Sequence, residues 1–175
     1  MADAHIFFLI GMPAIGKSFW AEKIASAYLL QFIDLDLYIS EQEDESIPSM
    51  FVKYGENGFR QREQKYLNEI IQNAAADLIV ACGGGTPCFA DNLQIMKKAG
   101  TTIYLQGEIS YLLNNLKRST TQRPLLNNRE DVAIYLEALL QERENIYGQA
   151  HYILHAEDIS LITFEKIITS CTDRH

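Results

Sequence analysis

Residues 6–18 read IFFLIGMPAIGKS, and this stretch decides the fold. Its first five residues are apolar and favour a β-strand that is buried on both faces and ends at Gly11. The next eight fit G-x-x-x-x-G-K-[ST], the pattern of a phosphate-binding loop, and apolar residues recur with helical spacing after Lys17. Such a loop places backbone N–H groups and the positive end of a helix around a phosphate. The alternative is an ordinary tight turn between a strand and a helix.

The loop and the first helical turn are predicted to hold a nucleotide. Lys17 would reach the β- and γ-phosphates, and the Ser18 hydroxyl would bind Mg²⁺. Ala14 and Ile15 stand where such loops often have small residues or glycine, and an alanine with positive φ costs about 1 kcal/mol or more. The predicted nucleotide-binding residues of this segment are Gly11, Ala14, Ile15, Gly16, Lys17, Ser18 and Phe19.

Short apolar segments alternate with helical patterns along the rest of the chain. This alternation predicts an α/β domain with a parallel sheet and helices on both faces. Two segments interrupt it: residues 37–62 form a small insertion, and the polar residues 119–129 form a candidate mobile loop. The further predicted strands are 31–35, 78–82, 101–105 and 152–154, and the predicted helices are 17–30, 58–74, 91–98, 109–117, 130–147 and 161–170.

The composition limits the classes of protein. The chain has 175 residues, enough for one domain, and its 23 acidic and 15 basic residues give a formal net charge of −8, which opposes binding to nucleic acid. The three cysteines have no zinc-binding spacing and favour a reducing compartment. The early apolar run is too short for a membrane span and lacks a basic segment before it. We therefore expect a cytoplasmic protein with no nucleic acid or membrane as partner.

Two aspartates follow the second predicted strand. Because residues i and i+2 of a strand point to one face, Asp34 and Asp36 are expected to face one side at the carboxyl edge, where parallel sheets bind ligands. Beside a nucleotide, one carboxylate would lie near Mg²⁺ and the other would accept a proton from a substrate hydroxyl. Asp34 is the better candidate for the metal side. The alternative is a cap for a helix over 37–40.

Three glycines and four arginines complete the candidate site. Gly83, Gly84 and Gly85 follow the third predicted strand, where a ligand or another backbone segment can approach closely, although a flexible loop would look similar. A guanidinium group binds carboxylate or phosphate through paired hydrogen bonds. The alternative for each arginine alone is a solvated surface charge. The candidate arginines are Arg60, Arg118, Arg123 and Arg143.

Together these motifs resemble the shikimate kinase family across essentially the whole chain. The matching pieces are the loop at 11–18, Asp34-Leu35-Asp36, Phe59-Arg60 with Glu63, the glycine triplet, Arg123-Pro124-Leu125-Leu126, and Arg143 followed by Tyr147. The resemblance implies the fold of small P-loop kinases with strand order 2-3-1-4-5. It implies transfer of the γ-phosphoryl group of ATP to the 3-hydroxyl of shikimate, with Mg²⁺, by a monomer. In the loop, Pro13 and Ala14 replace the Met-Gly pair that is usual in the family.

The resemblance also implies residue roles. Asp36 would hold and activate the hydroxyl, while Arg60 and Arg143 would bind the shikimate carboxylate. Arg123 would contact the transferring phosphoryl group from a lid at 119–129, and residues 37–62 would bind the acceptor. Arg118 would lie against adenine, Asp34 would act near Mg²⁺, and the backbone of Gly83, Gly84 and Gly85 would close the substrate pocket. The alternatives are another small-molecule kinase, of the gluconate or nucleotide type, and a nucleotide-binding protein without catalysis.

Overall fold

The computed structural model describes residues 4–118 and 129–172. Its strands are β1 (Ile6–Ile10), β2 (Gln31–Asp34), β3 (Leu78–Ala81), β4 (Gly100–Gln106) and β5 (Tyr152–His155). They form one sheet in the order β2-β3-β1-β4-β5, and every neighbouring pair is parallel. This confirms the predicted α/β class and the strand order 2-3-1-4-5.

The first strand lies at the centre of the core. Every residue of β1 is at most 2% exposed, and its Phe7 pairs with Ile79 on one side and Thr101 on the other. The edge strands β2 and β5 leave more of their surface exposed. A strand covered on both faces needs an unbroken apolar sequence, and this burial anchors the loop that follows Ile10.

Helices join and cover the strands. They are α1 (Lys17–Tyr28), α2 (Leu35–Glu43), α3 (Ile47–Asn73), α4 (Asn92–Ala99), α5 (Ile109–Arg118), α6 (Arg129–Tyr147) and α7 (Leu161–Thr172). α1 packs against β2, β3 and α7, α4 packs against β4, and α5 packs against α6. Because parallel strands need crossover connections, the helices cover both faces of the sheet and complete a three-layer α/β/α domain.

The segment predicted as an insertion, 37–62, is largely helical. Ser46 caps α3 by accepting a hydrogen bond from the Ser49 N–H at 3.3 Å, so this helix begins well before the predicted residue 58. α3 is kinked at Gly55, whose φ of 69° and ψ of 176° interrupt the helix. The rings of Phe51 and Phe59 pack across the kink with centroids 4.5 Å apart. The packed kink brings the second half of α3 towards the end of the sheet that carries the loop.

The other predicted boundaries agree with the structure to within two residues. α2 lies where the sequence offered a helix, over 37–40, only as an alternative. The predicted lid at 119–129, with Arg123, lies outside the described residues apart from the position at which α6 begins. Within 4–118 and 129–172, no helix combines the length and the apolar character that crossing a bilayer requires.

Candidate active site

The loop after β1 has the backbone of a phosphate cradle. Gly11 has a φ of 141° and Gly16 a φ of 101°, values that L side chains rarely adopt. A Cβ at Gly11 would also lie 2.6 Å from the carbonyl oxygen of Leu105, so a side chain there would push β1 from β4. Gly16 immediately precedes α1, and the helix N-terminus therefore points its unpaired N–H groups into the loop.

Lys17 supplies the positive charge of this loop. Its side chain is 8% exposed, and Nζ donates to the carbonyl oxygens of Gly11 at 2.9 Å and Met12 at 2.8 Å. A buried ammonium group needs such partners because desolvation of an unpaired charge is costly. The lysine is therefore held across the loop that it is predicted to serve.

The unusual Ala14-Ile15 pair is accommodated in two ways. Ala14 has a φ of 66°, the positive value considered in the sequence analysis. This conformation costs roughly 1–2 kcal/mol for a residue with a Cβ. Ile15 is fully buried. A Cβ at Gly107 would lie 2.6 Å from its Cδ1, so the isoleucine fits because residue 107 has no side chain. The loop thus keeps its conformation, because the isoleucine anchors it to the connection after β4.

Asp34 and Asp36 are not arranged as the strand alternation predicted. β2 ends at Asp34, and Asp36 lies in the first turn of α2, so the argument from residues i and i+2 of a strand was wrong. Asp34 caps this helix: its Oδ1 accepts from the N–H groups of Asp36 at 3.1 Å and Leu37 at 3.3 Å. The alternative of a helix cap is therefore correct for Asp34. Its other carboxylate oxygen, Oδ2, accepts a hydrogen bond from the Ser18 hydroxyl.

The Ser18–Asp34 pair suits Mg²⁺. Hydroxyl and carboxylate oxygens are the hard ligands that this ion prefers, and Mg²⁺ in kinases is held by one or two protein groups together with substrate phosphates. Within the described part of the chain, no group of three or more His, Cys, Asp or Glu side chains could hold a metal by itself. The donor set therefore fits an ion that arrives with a nucleotide.

Glu63 is a buried carboxylate that sequence reasoning did not place in the site. Its Oε2 accepts from Nη1 of Arg60 at 2.7 Å, and its Oε1 accepts from the Thr86 hydroxyl at 2.5 Å. Burial raises the pKa of the Glu63 carboxyl, whereas the Arg60 guanidinium and the Thr86 hydroxyl oppose that rise. In the sequence, Glu63 was named only as part of the family match with Phe59-Arg60 and was given no role, because an i,i+3 pair of this kind is common on exposed helices.

The glycine triplet forms a wall between the loop and this buried pair. A Cβ at Gly83 would lie 3.0 Å from Oδ1 of Asp36, and one at Gly84 would lie 2.9 Å from the Pro13 ring. A Cβ at Gly85 would lie 2.0 Å from Nη2 of Arg60. Because glycines have no side chain, other groups can approach this strip of backbone closely. The loop, the predicted proton acceptor Asp36 and the predicted carboxylate ligand Arg60 therefore all lie against it.

Tyr147 fixes this strip from α6. Its ring is fully buried beside Tyr104, with centroids 5.0 Å apart, and its hydroxyl donates to the carbonyl oxygen of Gly84 at 2.6 Å. Burial raises the pKa of the Tyr147 hydroxyl, so this group is a neutral donor at physiological pH. α6 is thereby tied to the triplet one turn after Arg143.

Arg60 and Arg143 line one cavity of about 320 Å³. Nε of Arg143 is buried and has no hydrogen-bond partner in the part of the chain that the structure describes. Burial raises the pKa of the neighbouring Cys88 thiol to about 11, which leaves it uncharged. Two guanidinium groups facing one small space suit a carboxylate ligand. The full lining is Glu56, Asn57, Arg60, Gly85, Cys88, Phe89, Glu142 and Arg143.

The remaining predicted residues lie farther from this cavity or outside the described chain. Arg118 is exposed in the last turn of α5. Phe19 is 54% exposed, and Nζ of Lys23 lies 4.5 Å from its ring centre. Arg123 falls in the residues that are not described. Their predicted contacts with the nucleotide therefore stay predictions.

These features define a class of protein. A buried strand leads into a loop that is bounded by glycines and crossed by the side chain of Lys17. The Ser18–Asp34 pair lies beside this loop, and the cavity lined by arginines lies on the other side of the glycine triplet. Phosphoryl transfer depends mainly on positioning and on neutralising charge, and this arrangement provides both. The fold and the site are those of a P-loop phosphotransferase that acts on a small anionic acceptor.

The comparisons with known proteins narrow this class. A family model for shikimate kinase matches residues 13–173. The shikimate kinase of Phocaeicola vulgatus is 36% identical over 154 residues, 87% of each chain, and that of Bacteroides thetaiotaomicron is 33% identical over 154 residues, again 87% of each. The chain belongs to the shikimate kinase family.

Solved structures agree with this assignment. The crystal structure of the Bacteroides thetaiotaomicron shikimate kinase superposes with a TM-score of 0.87 at 28% identity, covering 97% of this chain and 98% of that one. The Acinetobacter baumannii shikimate kinase in complex with shikimate has a TM-score of 0.82 at 30% identity, covering 95% and 92%. A gluconokinase from Sinorhizobium meliloti reaches 0.58 at 14% identity, covering 97% and 92%, which is a likeness of fold alone.

Proposed function

We propose that this chain transfers the γ-phosphoryl group of ATP to the 3-hydroxyl of shikimate, giving shikimate 3-phosphate for aromatic amino acid biosynthesis. Membership of the family supports the reaction. The observation that carries it for these residues is the glycine triplet, which has the nucleotide loop on one side and the Arg60–Arg143 cavity on the other. Donor and acceptor would meet across that strip.

On the nucleotide side, Lys17 exchanges its partners in the loop for phosphate oxygens. Its charge then offsets the negative charge that gathers on the transferring group, and the N–H groups around Gly16 bind the other phosphates. Ser18 and Asp34 would hold Mg²⁺, which neutralises phosphate charge when bound. Holding the ion would require the Ser18 hydroxyl to release its hydrogen bond to Asp34.

On the acceptor side, the two arginines bind the carboxylate of shikimate. Arg60 is held by Glu63 at 2.7 Å, which leaves Nη2 directed to the cavity beside Gly85. Asp36 lies at the other end of the triplet, where its carboxylate accepts the proton of the 3-hydroxyl. The hydroxyl oxygen bonds to the γ-phosphorus as the bond from that phosphorus to the bridging oxygen breaks and ADP leaves. The distance between the arginines and Asp36 thereby selects a ring with a carboxylate at one end and a hydroxyl at the other.

Two arginines and one segment would complete the site. Arg123, from the lid at 119–129, would stabilise the transferring phosphoryl group, and Arg118 would lie against adenine. The segment 37–62 would serve as the acceptor-binding insertion. We further propose a monomer in the cytoplasm that uses neither nucleic acid nor membrane, in keeping with the net charge of −8.

The direct test is a measurement of ADP release with purified protein, ATP and Mg²⁺. We expect release to depend on shikimate and the product to be shikimate 3-phosphate. Parallel reactions with gluconate, with nucleoside monophosphates and with ATP alone serve as controls. The proposal is wrong if shikimate adds nothing to the ATP-only rate, and preference for gluconate or a nucleotide would establish the corresponding alternative.

A further inference from the structure

The peptide between Ala14 and Ile15 is held from both ends. The carbonyl oxygen of Ala14 accepts a hydrogen bond from Nδ2 of Asn115 at 3.0 Å, and the N–H of Ile15 donates to the carbonyl oxygen of Met12 at 3.3 Å. The second contact is a turn within the loop. The first comes from α5, which is 101 residues away in sequence. The orientation of this peptide therefore depends on a helix outside the loop.

This peptide is also where the loop is strained. Ala14 has a φ of 66°, a conformation in which its Cβ crowds the following carbonyl oxygen. Relaxation of Ala14 to a negative φ would relieve that crowding and would move its carbonyl oxygen. A hydrogen bond to the carbonyl oxygen opposes this relaxation, because the oxygen would lose its partner.

The connection between β4 and α5 matches the loop at two points. Gly107 leaves the space that Ile15 fills, and Asn115 reaches Ala14 two turns further along the chain. Leu112, between them, is fully buried and fixes α5 against the core. Both residues that distinguish this loop, Ala14 and Ile15, are thus accommodated by the same segment.

We propose that Asn115 is a positioning residue for nucleotide binding. By holding the carbonyl oxygen of Ala14, it keeps that partial negative charge from turning towards the phosphates and keeps the following N–H groups directed into the loop. The inference rests on the proposed use of ATP. Asn115 acts through the loop backbone and not on the acceptor, so its removal affects the nucleotide and not shikimate.

The test measures steady-state kinetics for both substrates in three variants. Asn115→Ala removes the donor, Asn115→Asp removes it with almost no change in size, and Asn114→Ala alters the exposed neighbour on the same helix. One lost hydrogen bond corresponds to roughly a three- to tenfold fall in kcat/KM for ATP. We expect that fall in Asn115→Ala and a larger one in Asn115→Asp, whose negative charge repels the Ala14 carbonyl oxygen and the phosphates. The KM for shikimate should stay within twofold of the parent value, and the Asn114 variant should be unchanged.

A rescue experiment separates positioning from general damage. Glycine adopts positive φ without strain, so in a protein carrying Ala14→Gly the added Asn115→Ala change is expected to cost less than twofold. An equal loss in both backgrounds, no loss at all, or a parallel loss for shikimate would each overturn the proposal.

Binding of ADP, measured by calorimetry without acceptor, gives a readout that does not depend on the reaction. Weaker ADP binding in Asn115→Ala, restored by Ala14→Gly, supports the positioning role even if shikimate proves not to be the substrate. Unchanged ADP binding refutes the role even if shikimate is phosphorylated. The two proposals can therefore fail separately.

Discussion

Replacement of Gly85 by alanine should damage the acceptor site without disturbing the nucleotide site. The new Cβ would lie 2.0 Å from Nη2, 2.4 Å from Cζ and 2.8 Å from Nη1 of Arg60. For Nη2 to reach an ordinary contact of 3.4 Å, the guanidinium must move by about 1.4 Å. It cannot move without disturbing its 2.7 Å bond to buried Glu63.

The magnitude follows from that displacement. A misplacement of about 1 Å in a group that positions substrate lowers rates by roughly 100-fold. We therefore expect kcat/KM for shikimate to fall by about 100-fold, mainly through a higher KM. The atom that must yield is the end of a flexible side chain, so the melting temperature should fall by only a few degrees, about 1 kcal/mol in a domain of this size.

The assay is the shikimate-dependent release of ADP, with the KM for ATP measured beside it. Gly148→Ala is a matched control, because its Cβ meets only the Glu144 carbonyl oxygen at 3.2 Å, a contact that a small shift relieves. If Gly85→Ala keeps the parent KM for shikimate, Arg60 does not bind the carboxylate. If ATP and shikimate suffer equally, the triplet acts as a structural element alone.

Three further substitutions test the remaining groups. Lys17→Ala should lower kcat by at least about 100-fold, because its charge stabilises the transferring group; turnover within tenfold of the parent would remove Lys17 from that role. Asp36→Asn should reduce kcat by about 100-fold or more while ADP affinity, read by calorimetry, stays constant; an unaltered rate would exclude Asp36 as proton acceptor. Glu56, exposed and 3.7 Å from Arg60, competes with a substrate carboxylate, so Glu56→Gln should lower the KM for shikimate two- to threefold at low salt. Near 0.5 M salt the KM for shikimate should be the same in the parent and the variant. A KM that is higher in the variant at low salt would show that Glu56 does not compete with the substrate carboxylate for Arg60.

Local patterns predicted the parts of the site that depend on neighbours in sequence. The strand, the loop and the helix from Ile6 to Tyr28 follow from a continuous apolar run, two glycines and helical spacing, all within one segment. The strain at Ala14 could also be foreseen, because φ at that position belongs to the loop motif. These features need no knowledge of the rest of the chain.

Patterns failed where a short segment could take either of two structures. Asp34-Leu35-Asp36 continues an apolar run, which favoured a strand, but Asp34 caps a helix and ends the strand. Leu35 is buried in the helix, and it would also be buried if the strand continued through it. The hydrophobic pattern of three residues therefore could not distinguish the two structures. The predicted helix over 58–74 likewise missed the start of α3 at Ile47, because packing of Phe51 on Phe59 across the kink at Gly55 stabilises the longer helix.

The sequence by itself determined that the chain is a parallel α/β domain with a phosphate-loop motif, and it supplied the arginines and aspartates that we propose for the site. The tertiary structure alone decided which of them meet. The Thr86 hydroxyl bonds to Glu63 at 2.5 Å and the Asn115 amide bonds to the Ala14 carbonyl oxygen at 3.0 Å. Arg60 and Asp36 lie so close to Gly85 and Gly83 that a Cβ at either glycine would crowd them. Contacts of that accuracy arise from the packing of the whole core, because a shift of one ångström anywhere in it would break them.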